Sequence, residues 1–142
     1  MTKTDPPRGG PSAPRGLNST LWVAQWALAL VFVGGGVWKL ATPLAQVAEV
    51  FPWVGETPLP LFLVTSVLDV LGGLGVLLPA LSRVLPGVTV LAAAGCAGLQ
   101  VSAIAFHLLR GETDVLFNVV VLVLAVLVAW GRWTRVPLKP RA

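Results

Sequence analysis

Five polar side chains interrupt stretches of this sequence that are otherwise almost wholly apolar: Lys39, Asp69, Gln100, His107 and Asn118. An amine, a carboxylate, two carboxamides and an imidazole can pair as ions, pass a proton, or donate hydrogen bonds to a ligand that carries carbonyl oxygens. Asp69 is the one that most needs an explanation. A carboxylate at the centre of a membrane helix costs about 2.5–3.5 kcal/mol on insertion scales, so it must be paired, hydrated or protonated. Lys39 is the only cation near its depth. One reading makes the group a buried clamp between helices; the other makes it a site for a ligand, a proton or a quinone. Gln100 and His107 are seven residues apart, which puts them on one helix face about 10 Å apart along the axis, with Ala103 between them.

The residues that are scarce narrow the chemistry further. Cys96 and His107 are single in the chain, so there is no disulfide, no Cys-x-x-Cys pair, no bis-histidine haem and no dedicated zinc site to expect. Cys96 sits in Ala-Gly-Cys-Ala-Gly and reads as a small residue in a helix contact. No metal ligands and no catalytic residues are assigned. The chain is not expected to be an enzyme on its own.

Four apolar runs position these side chains: 21–41, 59–79, 87–109 and 115–131. A bilayer core about 30 Å thick takes about 20 helical residues, within a range of roughly 17–25, and all four runs fit. With 56% hydrophobic and 11% charged residues, little polar surface remains for a soluble domain. The expected fold is all-α and integral to the membrane: a bundle of four transmembrane helices, with a short interfacial helix after the first. The membrane domain covers 21–131. A tail over 1–20, rich in proline and glycine, is expected to be disordered, and 132–142 forms a basic tail. The first run reads as a retained anchor with no cleavage site behind it.

Charge sets the orientation. Lys3, Arg8, Arg15, Arg83, Arg132, Arg135, Lys139 and Arg141 fall on one side of a four-span chain, eight of its ten basic residues. The positive-inside rule then places both termini in the cytoplasm. The net charge of +4 points to an anionic leaflet of the lipid bilayer rather than to nucleic acid. Tryptophans at 22, 26, 38, 53, 130 and 133 lie at or near the boundaries, where an indole is most stable.

The segment 42–58 is too apolar for a plain connector. Thr42 is the expected N-cap and Pro43 the first helical residue, after which Leu44, Val47, Ala48 and Phe51 share a face. The expected product is a short amphipathic helix in the outer interface, an anchor or a lid. Glycines 34, 35, 36, 72, 73, 75, 95 and 98 are expected to mark helix contacts. The last span has few small residues and is expected at the periphery or against a second subunit.

Counted inward from the outer boundary, Lys39 and His107 lie about 3 Å deep and Asn118 about 5 Å, with Gln100 and Asp69 near the midplane at about 14–15 Å. Each of the four spans contributes to this outer half, while the other half offers little beyond Thr89 and Gln25. That asymmetry favours a site. On these depths Lys39 falls short of Asp69, so either the helix boundaries are off by a turn or water or Gln100 bridges the gap.

Gly36-Val37-Trp38-Lys39-Leu40, then Leu68-Asp69-Val70-Leu71-Gly72-Gly73-Leu74-Gly75, then Ala103-Ile104-Ala105-Phe106-His107 followed by Gly111-Glu112 and Asn118, resemble in order and spacing the DoxX and DoxX-like family of small four-helix membrane proteins. The resemblance covers about residues 20–133. Asp69 stands where that family usually has glutamate, a side chain one methylene longer. The resemblance implies a four-helix bundle in a bacterial inner membrane. Some members serve quinone-linked oxidoreductases or partner redox and stress proteins, which makes a quinone the candidate cofactor and a redox protein or a second copy the candidate partner. The other reading is a non-enzymatic binder of lipid or small molecules, a transporter element or an assembly factor. Alternating transport by one copy is disfavoured, because no pair of broken helices is present.

Overall fold

A computed structural model describes Thr2 and residues 14–142. Five helices follow in order: α1 Arg15–Ala41, α2 Leu44–Val50, α3 Leu59–Ser82, α4 Gly87–Leu109 and α5 Leu116–Trp130. A 3₁₀ turn, Pro52–Glu56, links α2 to α3, and a π-helical turn, Gly131–Arg135, extends α5. There is no strand among the described residues. Four of the helices, the last counted as Leu116–Arg135, are long and apolar enough to cross a membrane. Large apolar side chains face outward along them, Leu30, Leu91 and Val23 among them. In water such a surface would aggregate; in lipid it is the required exterior.

The four long helices close a ring in which α1 packs on α3, α3 on α4, α4 on α5 and α5 back on α1. The core holds Leu28, Phe32, Val76, Ala93, Cys96, Val121, Ala125 and Val128. α5 is therefore a full wall of the bundle rather than the peripheral helix its composition implies. Ala125, fully buried, supplies the close contact that the rest of its sequence lacks.

Close approach rests on half of the expected glycines. A Cβ on Gly36 would lie 2.8 Å from the Ser66 carbonyl oxygen and 3.1 Å from the Val70 nitrogen, so α1 and α3 meet backbone to backbone there. Gly73 meets Val33 and Phe32 in the same seam, while Gly72 faces Cys96 and Gly75 faces Ala92 across α3 and α4. Gly34, Gly35, Gly95 and Gly98 touch nothing within 4 Å. Helical periodicity turns those four away from the seams.

Several boundaries move. α1 begins at Arg15 rather than at 21, so the described part of the expected disordered tail is mostly helix; residues 1 and 3–13 lie outside the described residues. Ser19 and Thr20 bond back to the carbonyls of Arg15 and Gly16, and Asn18 gains a tertiary partner described below. α3 runs through Pro79 to Ser82. Thr42 does not cap α2: its N–H closes α1 on the Trp38 carbonyl at 3.0 Å, and the residue before α2 is the extended Pro43. Pro43, with ψ at 136°, is not yet helical, so α2 starts one residue later than expected, at Leu44, and the cap position passes from Thr42 to Pro43.

α2 and the 3₁₀ turn fold over one end of the bundle. Val47 and Val54 are buried with Phe62 of α3, and an aromatic chain runs from Trp38 through Phe51 and Trp53 to Phe106 and His107. We call this the capped end. The opposite, basic end carries the start of α1, the α3–α4 turn and the π-helical turn.

Candidate functional site

At the capped end the expected site residues resolve into pairs. Lys39 Nζ donates directly to Asp69 Oδ2 at 2.5 Å, so neither water nor Gln100 bridges them. The ends of α1 and α3 are not level, which is the alternative of boundaries shifted by a turn. Gly36 lies against Ser66 and Val70, so α3 begins about 10 Å beyond the level of Lys39, in the cap that Phe62 shares with Val47 and Val54. Lys39 then reaches back only about 4.5 Å along the axis. The one-methylene-shorter aspartate suffices. Both side chains keep some exposure, 14% for Lys39 and 20% for Asp69.

Asn118 Nδ2 donates to Gln100 Oε1 at 2.9 Å, tying α5 to α4. His107 stands apart from Gln100 and joins the loop: its Nδ1 meets Glu112 Oε2 at 2.5 Å. Arg110 Nε donates to Glu112 at 2.9 Å and its Nη1 to Glu56 at 2.6 Å, which fastens the 3₁₀ turn to the end of α4. The His107 hydrogen bond, then the Arg110 guanidinium, hold the Glu112 carboxyl below its ordinary range. Glu56 first, and Glu112 second, raise Arg110. Lys39–Asp69 couples α1 to α3 and Gln100–Asn118 couples α4 to α5, with His107 at the mouth.

A shallow apolar groove of about 380 Å³ runs beside this cluster, lined by Val37, Leu40, Ala41, Val67, Val70 and Leu71. At about 100° per residue, Lys39 and Asp69 fall on the opposite flank of the Gly36–Val70 contact from this groove. A ligand in the groove would therefore not touch the pair.

The basic end holds a polar network that sequence reasoning passed over. Arg132, expected in the basic tail, is 2% exposed. Its Nε donates to Gln25 Oε1 at 2.7 Å and its Nη1 to Asn18 Oδ1 at 2.8 Å and the Val136 carbonyl at 3.4 Å. Its guanidinium carbon stands 5.0 Å from the centre of the Trp22 ring. Gln25 in turn donates to the Val76 carbonyl at 3.0 Å, which brings α3 into the network. The π-helical turn presents Arg132 inward, closing with Val136 N–H on the Gly131 carbonyl, and Gly131 allows it close to α1, since a Cβ there would enter Leu21. A signal existed: Asn18, Trp22 and Gln25 recur at i, i+4 and i+7, one helix face. Nothing local announces a partner 114 residues along the chain.

Among the described residues no group of three or more His, Cys, Asp or Glu side chains could hold a metal ion. A ring of four membrane-length helices, with its few polar side chains paired across helix contacts, defines a multi-pass membrane protein of the small four-helix class. Within that class, the chain belongs to the DoxX-like family, whose sequence pattern matches residues 23–128. No curated protein and no solved structure matches it.

Proposed function

We propose that this DoxX-like protein is an accessory subunit of a redox or stress-response assembly in a bacterial inner membrane, and that its capped end binds a small carbonyl-bearing ligand of the quinone class. The observation that carries the reading is the Lys39–Asp69 pair. Its charge is compensated, which lowers the cost of holding it in the bundle, yet both side chains are partly accessible. One ammonium N–H is used by Asp69, and two remain for an acceptor. The Gln100 amide, which accepts from Asn118 through its oxygen, keeps its own N–H donors. Glu112 orients His107. A quinone asks for such donors at an apolar mouth, and the aromatic cap supplies the apolar part.

Native mass spectrometry of the gently extracted chain, in membranes supplied with ubiquinone or menaquinone, tests this. The wild type should retain a quinone mass, and the folded double variant Lys39→Met/Asp69→Leu should lose it. A folded double variant that retains quinone as well as the wild type defeats the reading. One observation favours a second reading, a lipid or small-molecule binder or assembly factor. Each polar pair ties together just two helices, as a clamp does. On that reading the double variant keeps every copurifying molecule and partner.

Both termini are placed in the cytoplasm on charge grounds. In a Cys96→Ser background, Glu56→Cys should react with an impermeant thiol reagent on intact cells and Leu138→Cys should not. The reverse pattern would invert the topology.

A further inference from the structure

Arg132 has five N–H donors in its guanidinium. One goes to Gln25, two on Nη1 go to Asn18 and Val136, and the two on Nη2 have no partner although that nitrogen is buried. All three acceptors are neutral. A buried cation without a counter-charge is among the costliest arrangements a protein holds. The Trp22 ring, 5.0 Å from the guanidinium carbon, offsets part of that cost.

Arg132 also lines a cavity of about 210 Å³, together with Pro86, Gly87, Val90, Trp133, Pro137 and Leu138. The carboxyl-terminal segment closes over this end, with Arg141 N–H bonded to the Arg83 carbonyl at 3.0 Å. Thr89, between Gly87 and Val90, has a buried hydroxyl that is also without a partner. Among the described residues this end carries Arg15, Arg83, Arg135, Lys139 and Arg141 besides Arg132 and no acidic side chain: Glu49, Glu56, Asp69, Glu112 and Asp114 all belong to α2, to α3 and to the loops of the capped end. The environment is positive and the cavity wall mostly apolar.

We propose that this cavity is a binding site for a phosphate-class oxyanion, toward which the Nη2 edge of Arg132, closed off in this packing, turns by a side-chain rotation to offer its two free donors, so that the anion supplies the missing counter-charge. The source of the oxyanion is either an anionic phospholipid headgroup, its glycerol and acyl portion lying on Trp133, Pro137 and Leu138, or a phosphate from solution. Arg132, Trp133, Pro137 and Leu138 lie beyond residues 23–128, so the family pattern holds only part of the site, and the site shares no residue with the capped end. A guanidinium rather than an ammonium suits the task, since it can keep its neutral acceptors and bind an anion through a further edge at once.

The test uses the full chain in nanodiscs of phosphatidylcholine alone, of phosphatidylcholine with phosphatidylglycerol, and of phosphatidylcholine with inorganic phosphate titrated into the buffer. Retained lipid is read by native mass spectrometry and phosphate binding by the rise in thermal midpoint. The wild type should retain phosphatidylglycerol in preference to phosphatidylcholine if the source is lipid, or be stabilised by millimolar phosphate if the source is solution. Arg132→Gln should weaken that binding at least tenfold. Leu138→Trp, which fills the cavity and leaves every charge in place, should weaken it at least as much while the chain stays folded. This second variant separates the cavity from the general attraction of a basic surface. Undiminished binding by Leu138→Trp, or a wild type that prefers neither anion over phosphatidylcholine alone, would overturn the proposal.

Discussion

At the capped end each contact between charged side chains joins opposite signs, Lys39 with Asp69 and Arg110 with Glu56 and Glu112, and Glu112 is also hydrogen-bonded to the His107 ring. At the basic end the buried Arg132 is held by two carboxamides, a carbonyl and an indole, and among the described residues no carboxylate forms a salt bridge with it. Both ends tie helices together, but by different physics. The capped end removes charge from the bundle by pairing it. The basic end retains a net positive charge and spreads it over neutral dipoles. Compensated charge gives a stable junction, whereas uncompensated charge gives a junction that an anion can stabilise further.

Removing one member of a compensated pair is the severest way to disturb this contrast. Asp69→Leu leaves the Lys39 ammonium unpaired and should lower stability by about 3 kcal/mol, near the lower end for broken buried pairs because both side chains keep some exposure. Adding Lys39→Met should restore most of the loss. Reversible unfolding in mixed micelles by a graded denaturing detergent measures both. A double variant as unstable as the single would show that the pair's charge balance is not what holds this end.

A smaller effect is expected where no charge is stranded. Gln25→Leu removes one acceptor from Arg132 and one donor from the Val76 carbonyl, at a cost of about 2 kcal/mol, the low end for two such atoms because Arg132 keeps its bonds to Asn18 and Val136. The same unfolding assay should rank it below Asp69→Leu. If it ranks above, Arg132 depends on Gln25 as a charge depends on its counter-ion, and the contrast between the ends collapses.

The mildest change is one of pH. Because the carboxyl of Glu112 is held below its ordinary value of 4.5, its contribution is present in full above that value and is lost as the pH falls from there through the depressed one. Glu112 is largely screened by solvent, so global stability should barely move. The protection of amides 110–114 from exchange, taken relative to the intrinsic rate at each pH, should fall over that acid window, and Glu112→Gln should abolish the change. Protection that is insensitive to pH there would remove the His107–Glu112–Arg110 link from the account of the capped end.

Much of this molecule is written locally. Apolar runs of about 20 residues, bounded by proline, glycine, tryptophan and basic residues, give four membrane-length helices, because span length and hydropathy depend only on neighbours in the chain. The short helix after α1 follows from its own apolar face, and the family pattern from short motifs within single helices. Asp69 declares its need for a partner in any membrane helix. What no local pattern carries is the relative height of two antiparallel helices. The contact of Gly36 with Ser66 and Val70 fixes that height, and with it the direct bond from Lys39 to Asp69. Nor does local pattern say which glycines face a neighbour, or that an arginine one residue beyond the last apolar run is buried. Arg132 enters the bundle because a π-helical turn widens the end of α5, Gly131 lets that turn approach Leu21, and Asn18 and Gln25 wait on a helix more than a hundred residues earlier. The sequence by itself determined four spans, their charge asymmetry and the polar residues they carry. Only the packing of one helix on another decided which of those residues meet, because register is a property of two surfaces in contact and of neither alone.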